Sequence, residues 1–361
     1  MRRFRWGIFG TGEISLKFVA GLASAREAEA TFVASRSLAK AQRFAAGMGI
    51  SRAIEGYAEA AAAGGVDAIY IATPPSEHAK HALLCIEAGI PVLVEKPFAA
   101  NPAEASRIAA AARAKSVFAM EAMWTRFLPA AQAMKDKVAT RSVGEVRMVA
   151  GNFGNSKDLA ESNLDPALGG GAMAHLGVYP LSLGQWIFGS PTLVQAIGTF
   201  GPTGVDEDAG FQLHYPGGVI GAFYASIRAW APNDFVVMGT EGLIRLRGPI
   251  VRPYGLEISR QAPLVSAEMT FDWRTRLRQH GAVHRLAQLA GLSSGDRSQR
   301  LNYPYAGNGY HYEADEVRSC VERGARESAV MPLDDSIVVV SSADRIRKMI
   351  MESTKTRNAP E

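Results

Sequence analysis

Cysteine is scarce in this sequence, and long apolar segments are missing from it. The 361 residues include only two cysteines, Cys85 and Cys320, which cannot form a disulfide framework or, by themselves, a cysteine-based zinc site. No apolar run reaches the ~18 residues that a membrane-spanning helix requires. The first apolar run ends at Gly10, too early for the hydrophobic region of a signal peptide. We therefore expect a reducing, cytoplasmic location and no membrane partner.

A large excess of charge of one sign is also missing. Lys and Arg number 39 and Asp and Glu number 35, so the formal net charge is +4. This mild basicity is compatible with a phosphorylated ligand and gives little support for nucleic-acid binding. With 36 glycines, 18 prolines and 47% hydrophobic residues, the composition is that of a globular protein. The length corresponds to about two domains.

The first third of the chain alternates short apolar runs with longer helical patterns. The predicted strands are Phe4–Phe9, Thr31–Ala34, Ala68–Ala72 and Val92–Val94. The predicted helices between and after them are Ser15–Ala25, Leu38–Met48, His78–Ala88 and Ala103–Ala114. Strands that alternate with helices through short connections are typical of a doubly wound parallel sheet. We predict an α/β protein whose N-terminal domain, built on this doubly wound sheet, covers residues 1–122.

After residue 122, alternating stretches separated by tight turns predict a different kind of sheet. Pro216-Gly217-Gly218 and Thr240-Glu241-Gly242 are examples of these turns, which favour antiparallel pairing. Residues 123–361 are therefore predicted to form an α+β domain with a large, open, mostly antiparallel sheet. Helices over Val178–Phe188 and Tyr310–Arg323 could cover one face. A second subunit is one candidate for the other face, which would give a homodimer or homotetramer.

A basic segment, Trp273–Arg300, admits two interpretations. Its arginines could form a nucleic-acid patch, but a solvated surface helix followed by the loop Ser293–Asp296 is favoured, because charge runs are weak motifs. We expect no nucleic-acid partner.

The segment Gly10–Ser15 (GTGEIS) stands where the first strand should meet the first helix. It fits the G-x-G-x-x-G dinucleotide pattern except that Ser15, which is also small, replaces the third glycine. The first two glycines permit a tight turn and a close backbone approach, and the helix N-terminus supplies N–H groups for a pyrophosphate. Any strand–helix turn can use glycine, but this setting favours a dinucleotide site.

The end of the second strand distinguishes the two nicotinamide cofactors. A ribose 2′-hydroxyl is bound by an acidic residue at this point, whereas a 2′-phosphate requires cations. The segment Ala34–Ser37 (ASRS) contains no acid. Arg36, with Lys40 one turn later, can pair with the phosphate, and Ser35 and Ser37 can donate hydrogen bonds to it. The charge pattern predicts NADP(H), although an exposed basic helix start would have the same composition.

Two further stretches carry a family resemblance that extends over essentially the whole chain. They are Tyr70–His78 (YIATPPSEH) and Val92–Phe98 (VLVEKPF). With the glycine turn, they resemble the glucose–fructose oxidoreductase/inositol dehydrogenase/MocA family of NAD(P)-dependent oxidoreductases, in which Glu-Lys-Pro is the most specific signature. The family fold is a Rossmann domain followed by an α/β domain with an open sheet. The resemblance also implies a cis peptide bond between Lys96 and Pro97.

The stretches Met120–Pro129 and Gly169–Tyr179 (GGGAMAHLGVY) narrow the resemblance. They are similar to a branch that contains dimeric dihydrodiol dehydrogenase and NADP-dependent D-xylose dehydrogenase. This branch uses Tyr where other members carry a catalytic His, and Tyr179 stands there. One departure is His175, because the family has Asp four residues before the catalytic position.

These motifs imply a set of site residues. Lys96 is predicted to hold the substrate hydroxyl and to lower the pKa of Tyr179, the general acid/base. His175 is catalytic or structural, and Trp124 and Arg126 resemble residues near the nicotinamide and the substrate. The predicted cofactor-binding residues are Gly10, Thr11, Gly12, Glu13, Ile14, Ser35, Arg36, Lys40, Thr73, Pro74, Pro75, His78, Glu95, Lys96, Trp124 and Arg126. The predicted substrate contacts are Lys96, Trp124, His175 and Tyr179.

The reaction implied is hydride transfer between NADP(H) and a sugar, a sugar derivative or a vicinal diol. An enzyme of glycoside or cyclitol processing that uses the nucleotide only transiently is one alternative. A non-catalytic nucleotide sensor of the same fold is another, and the departure at His175 is its best support. No metal site is predicted, because His78 and His81 lack accompanying acids or histidines.

Overall fold

The computed structural model describes residues 2–156, 161–260, 280–289 and 297–357. Its first layer is a parallel sheet in the order β3-β2-β1-β4-β5-β6. The strands are β1 (Phe4–Phe9), β2 (Ala28–Ser35), β3 (Arg52–Glu55), β4 (Ala68–Ile71), β5 (Val92–Glu95) and β6 (Ala119–Ala122). The helices that follow β1 to β5 are α1 (Glu13–Leu22), α2 (Leu38–Met48), α3 (Tyr57–Ala63), α4 (His78–Glu87) and α5 (Pro102–Lys115). The predicted doubly wound sheet is confirmed.

The strand order reverses between β1 and β4, which pair in parallel. The loops that leave the carboxyl ends of these two strands therefore diverge and open a crevice, where ligands of such sheets bind. Three elements of this layer were not predicted: β3, α3 and β6. The edge strand β3 has the sequence Arg-Ala-Ile-Glu, and its charged ends give no apolar run for a sequence pattern to detect.

The second layer is an eight-stranded sheet in the order β14-β13-β12-β11-β7-β10-β9-β8. Its strands are β7 (Val146–Gly154), β8 (Leu193–Phe200), β9 (Asp206–His214), β10 (Ile220–Ser226), β11 (Phe235–Gly239), β12 (Gly242–Arg247), β13 (Gly255–Arg260) and β14 (Arg297–Asn302). Strands β7 and β10 pair in parallel, whereas the other described pairings in this sheet are antiparallel. The predicted mostly antiparallel sheet is confirmed.

The helices of this half are α6 (Pro129–Ala139), α7 (Glu161–Leu164), α8 (Val178–Phe188), α9 (Gly281–Leu289), α10 (His311–Glu322) and α11 (Leu333–Arg357). Helix α8 packs on the sheet, and α11 contacts α8, β8 and also α5 of the first layer. One face of the sheet is thereby covered. None of the described helices combines the length and apolar character needed to cross a lipid bilayer.

The opposite face of the large sheet carries exposed apolar side chains. Tyr224, Met148 and Ile197 lie on it, and Ile197 is 73% exposed. Tyr224 and Ile197 share this face because both pair with Gly210 of the strand between them. Contiguous exposed apolar patches on a protein surface often mark an interaction site.

Candidate active site

A cleft of about 630 Å³ lies at the carboxyl ends of β1, β2, β4 and β5. Its volume is in the range of cofactor and small-ligand sites. Most of the predicted site residues line it. They are Gly10, Thr11, Gly12, Glu13, Ile14, Ser35, Arg36, Lys40, Thr73, Pro74, Pro75, His78, Glu95, Lys96, His175 and Tyr179. Trp124 and Arg126 are the two predicted residues outside this lining.

The glycine turn forms one end of the cleft. Gly10 has a φ of +107°, and a Cβ atom there would lie 2.5 Å from the carbonyl oxygen of Ala72. Gly12 precedes α1, and a Cβ atom there would meet no protein atom within 4 Å, so it would project into open space. Ser15 is fully buried, as the small third position of the pattern requires. The turn therefore leaves room for an anion at the N-terminus of α1.

Basic and hydroxyl side chains line the cleft at the end of β2. The Ser35 hydroxyl accepts a hydrogen bond from the backbone N–H of Ser37 at 3.3 Å. The Ser37 hydroxyl accepts one from the backbone N–H of Lys40 and caps α2. Both serines keep a hydroxyl proton to donate to a ligand beside Arg36. Glu55, a carboxylate at the end of β3, accepts a hydrogen bond from the Leu38 N–H and is outside the cleft lining.

His78 joins two of the loops that form the cleft. Its Nδ1 lies 2.8 Å from the carbonyl oxygen of Pro97, and its Nε2 lies 2.8 Å from that of Thr73. Burial lowers the pKa of His78 to about 4, although the two carbonyl groups oppose this shift. A neutral ring can donate through only one nitrogen. The imidazole therefore donates to one of these carbonyl oxygens and lies 2.8 Å from the other, between the Thr73 loop and the Lys96–Pro97 segment, where the peptide bond is cis.

Lys96 lies at the centre of the cleft, just after β5. Its Nζ donates a hydrogen bond of 3.0 Å to the backbone carbonyl oxygen of His175. The same Nζ lies 5.3 Å from the centroid of the Tyr179 ring. Burial lowers the pKa of Lys96, and the carboxyl groups of Glu95 and Glu121 oppose this change. A lysine with a lowered pKa can exchange protons at a lower pH than a free lysine.

Glu95 forms the floor beneath Lys96. It is buried, accepts a hydrogen bond from the Tyr70 hydroxyl, and accepts another of 3.1 Å from the backbone N–H of Lys96. Burial raises the pKa of Glu95, whereas Lys96 lowers it. These two hydrogen bonds with Tyr70 and the Lys96 backbone fix the position of the Glu95 carboxyl group.

Tyr179 and His175 reach the cleft from one helical segment. A π turn, Met173–Gly177, contains His175, and α8 follows directly with Tyr179 in its first turn. Burial lowers the pKa of His175 to about 3, so its imidazole is neutral near pH 7. Its buried Nε2 atom has no hydrogen-bond partner among the described residues.

The pKa of Tyr179 is raised in this structure, whereas the sequence predicted that it would be lowered. Burial raises the pKa of Tyr179, and the neighbouring Glu95 raises it further. The phenol is 5% exposed, and its ring packs edge-on against Phe153 at 5.4 Å between centroids. Desolvation disfavours the charged phenolate. Tyr179 is therefore held in its protonated form in this structure.

Trp124 and Arg126 support the site from behind. Trp124 stacks on Tyr310 with 4.3 Å between ring centroids. The indole N–H of Trp124 opposes the rise in the pKa of Tyr179, although it makes no hydrogen bond of standard geometry. Arg126 is fully buried, and its guanidinium donates to Asp335 at 2.6 Å and to the Ser182 hydroxyl at 2.8 Å. Arg126 was predicted to contact the cofactor. In the structure its positive charge is paired with the Asp335 carboxylate instead, so Arg126 is a structural residue.

The sequence reading missed several cleft residues. Phe153, Leu176 and Val251 provide apolar contacts at the end near Tyr179, and Asn163 adds an amide. Tyr57 lines the opposite end. The apolar positions gave no signal, because such residues in a sequence are indistinguishable from core residues. Only the long-range folding of strands and loops places them around one cavity.

Part of the basic segment Trp273–Arg300 lies outside the described residues, and so does the predicted loop Ser293–Asp296. Within the described part, Arg300 forms an ion pair with Glu257 at 3.3 Å. The described residues contain no group of three or more His, Cys, Asp or Glu side chains placed to bind a metal ion.

Two family models match the chain. Residues 4–123 match the model for an oxidoreductase family with an NAD-binding Rossmann fold. Residues 131–245 match the GFO/IDH/MocA C-terminal domain. The chain belongs to the GFO/IDH/MocA oxidoreductase family. The predicted membership is confirmed.

Curated relatives in this family match the chain along nearly its whole length. Trans-1,2-dihydrobenzene-1,2-diol dehydrogenase from Sus scrofa is 34% identical over 353 residues, with 96% of each chain covered. The enzyme of the same name from Homo sapiens is 32% identical over 355 residues, with the same coverage. These relationships agree with the family models in showing that the chain is an oxidoreductase.

Solved structures share the fold at lower sequence identity. An aldose-aldose oxidoreductase from Caulobacter crescentus, complexed with glycerol, gives a TM-score of 0.79 at 20% identity and covers 98% of each chain. A 3-ketoreductase from Actinomadura kijaniata, complexed with NADP and TDP-benzene, gives 0.78 at 21% identity. It covers 96% of this chain and 98% of its own.

Proposed function

We propose that this protein is an NADP(H)-dependent dehydrogenase of small vicinal diols, with Lys96 and Tyr179 at the reacting hydroxyl. The observation that carries the proposal is that one cleft joins the glycine turn to the Lys96 ammonium and the Tyr179 phenol. The cofactor fits the residues present, because the turn at Gly12 leaves open space beside a helix N-terminus. When bound, a nicotinamide cofactor accepts or donates the hydride.

The preference for NADP(H) rests on the charges at the end of β2. Arg36 and Lys40 line the cleft beside Ser35, and no acidic side chain follows this strand. Two cations and two hydroxyl groups suit a 2′-phosphate, whereas a ribose hydroxyl is usually bound by an acid. The structurally similar 3-ketoreductase is described with NADP.

The proton chemistry proposed here differs from the sequence-based expectation. Tyr179 stays protonated and donates a hydrogen bond to the substrate oxygen, because burial raises its pKa. Lys96, whose pKa is lowered by burial, takes the hydroxyl proton in its neutral amine form when an alcohol is oxidised, and the resulting ammonium returns that proton in the reverse direction. The neutral imidazole of His175 lines the same cleft and is the second polar group proposed to face the substrate.

The walls of the cleft favour a small, partly apolar diol. Phe153, Leu176 and Val251 give an apolar surface beside Tyr179, and His175 and Asn163 give two polar contacts. A vicinal diol on a small ring matches these walls, because its ring can contact the apolar side chains and its two adjacent oxygens need only a few polar partners. The curated relatives are named for the oxidation of such a diol. Aldoses and keto sugars, which carry more hydroxyl groups, are the comparison substrates.

We also propose that two copies associate through the open face of the large sheet. The exposed side chains of Met148, Ile197 and Tyr224 support this arrangement, because burial of apolar surface stabilises association. A reducing, cytoplasmic location is part of the same proposal, since Cys85 and Cys320 are both buried free thiols.

The test is a substrate panel monitored at the absorbance band of the reduced nicotinamide. Cyclic and acyclic vicinal diols, aldoses and keto sugars are each assayed with NADP(H) and NAD(H). The Lys96→Met variant is assayed in parallel, and NADPH binding is measured for both proteins by fluorescence. We expect diol turnover with NADP, little turnover with NAD, and loss of turnover with retained NADPH binding in the variant.

Three results would contradict the proposal. A protein that binds NADPH but turns over no substrate is a nucleotide sensor. Nucleotide that is reduced and reoxidised without net change, while a glycoside is cleaved, indicates transient use. Equal loss of turnover and NADPH binding in Lys96→Met would place Lys96 in the cofactor site only.

A further inference from the structure

Asp206, the first residue of β9, contacts the π turn Met173–Gly177 and is outside the cleft lining. Its side chain is fully buried. One carboxylate oxygen, Oδ2, accepts a hydrogen bond of 2.7 Å from the backbone N–H of Met173, where the π turn begins. The other oxygen, Oδ1, lies 2.8 Å from Nε of Arg347 on α11. Asp206 thus connects the π turn Met173–Gly177 to α11.

The turn has no cap of its own. Neither Ala172, which precedes the π turn, nor Gly177, which precedes α8, makes a side-chain capping bond, and neither segment has an acidic residue in its first turn. The first N–H groups of a helix require acceptors, and a carboxylate there also interacts favourably with the helix dipole. Asp206 supplies this carboxylate from a strand more than thirty residues later.

The local backbone is shaped around this carboxylate. Gly171 has a φ of +123°, and a Cβ atom there would lie 2.3 Å from Oδ1 of Asp206. A glycine is therefore needed for the chain to pass the carboxylate before it enters the turn. Arg347 supplies the positive charge that a buried carboxylate requires, and its own side chain is 32% exposed.

The turn held in this way contains a contact of Lys96. His175 lies two residues after Met173, and its carbonyl oxygen accepts the hydrogen bond from Lys96 Nζ. Tyr179 follows in the same helical segment. A displacement of about 1 Å at such a site can reduce a rate about 100-fold. The anchor of the turn is thus coupled by geometry to the reacting groups.

We propose that Asp206 and Arg347 form an ionic clasp that positions the segment Met173–Tyr179 against Lys96. Both are positioning residues, since neither lines the cleft. The inference rests on the proposed function for the roles of Lys96 and Tyr179. The clasp fixes the position of the turn, and that position can be measured whether or not a substrate is known.

Four variants separate the hydrogen bond from the charge pair. Asp206→Ala removes both, whereas Arg347→Met leaves a buried carboxylate without its cation. The double variant Asp206→Asn/Arg347→Met removes both charges and keeps an oxygen that can accept from Met173 N–H. Asp208→Ala is the matched control, because Asp208 lies on the same strand and bonds instead to Thr199 and Ser226.

For each variant, kcat per folded molecule, the Kd for NADPH and hydrogen exchange of residues 172–178 are measured. We expect Asp206→Ala and Arg347→Met to lower kcat by tenfold or more, with the Kd for NADPH within twofold of the native value. The double variant should recover kcat to within about threefold, since a buried pair replaced as a whole leaves no unpaired charge. Amide exchange in the turn should accelerate most in Asp206→Ala and less in Arg347→Met, and Asp208→Ala should match the native protein.

A readout that needs no substrate is the rate of reductive methylation of Lys96, measured by mass spectrometry. Loss of the His175 contact should change this rate in Asp206→Ala and leave it unchanged in Asp208→Ala. If the rate and the turn exchange are unchanged in Asp206→Ala, the clasp is wrong, whether or not a substrate has been found. Reduced thermal stability with native kcat per folded molecule would also overturn it, because the pair would then serve stability alone.

Discussion

The side-chain ammonium of Lys96 and the backbone carbonyl of His175 are joined by a hydrogen bond of 3.0 Å, although 79 residues separate them. Lys96 follows a strand of the first sheet, and His175 lies in the π turn before α8. The bond orients the ammonium within a site where burial lowers its pKa. This geometry supports the proposal that the ionisation of Lys96 governs the reaction.

Tyr179→Phe tests the division of labour between the two groups. The rate of alcohol oxidation should rise with pH as Lys96 loses its proton, and this limb should lie below the usual lysine pKa of 10.5 because burial lowers it. The variant should lose about 100-fold in kcat and keep the limb. The measurement is the pH profile of kcat for both proteins. Disappearance of the limb would show that Tyr179 is the base.

His175→Asp introduces the residue that the family resemblance implies at this position and tests the charge beside Lys96. The imidazole is neutral near pH 7, because burial lowers its pKa to about 3. A carboxylate in its place should stabilise the lysine ammonium and move the pH limb upward by about one pH unit or more. His175→Asn, which adds no charge, is the control and should leave the limb in place. An unchanged limb in both variants would mean that Lys96 does not determine it.

Arg36→Ala tests the preference for NADP(H). Loss of a charge-assisted contact to the 2′-phosphate should weaken NADPH binding roughly 10- to 100-fold and leave NADH binding unchanged. The measurement is the Kd for each nucleotide. Arg43→Ala is the matched control, since Arg43 lies on the same helix and outside the cleft lining. Equal weakening of both nucleotides would contradict a role at the phosphate.

Arg126→Met tests the structural role found for this buried arginine. The change leaves Asp335 without its cation and removes the bonds to Ser182, so we expect a loss of about 3–5 kcal/mol in the free energy of unfolding. Denaturant unfolding measures this loss, and NADPH binding by the folded protein should be native. If NADPH binding is weakened while the stability stays native, Arg126 contacts the cofactor and its structural role is wrong.

How much of the site the sequence predicts depends on how local each signal is. The glycine turn and the basic end of β2 are contiguous motifs, and they line the cleft as expected. The charges around Tyr179 are different, because Glu95 lies far from it in sequence and its own burial depends on packing. The direction of its pKa shift was therefore predicted incorrectly.

The sequence by itself determined the two kinds of sheet and the order of motifs along the chain. Alternation of strands with helices, tight turns and glycine spacing are properties of neighbouring residues, so they can be detected without coordinates of distant ones. Only the tertiary structure decided that Arg126 pairs with Asp335, that Asp206 accepts a hydrogen bond from the backbone of Met173, and that Tyr179 is desolvated. Charge partners and burial depend on which distant segments of the chain come into contact. Composition and periodicity describe neighbouring residues, so they do not predict these contacts.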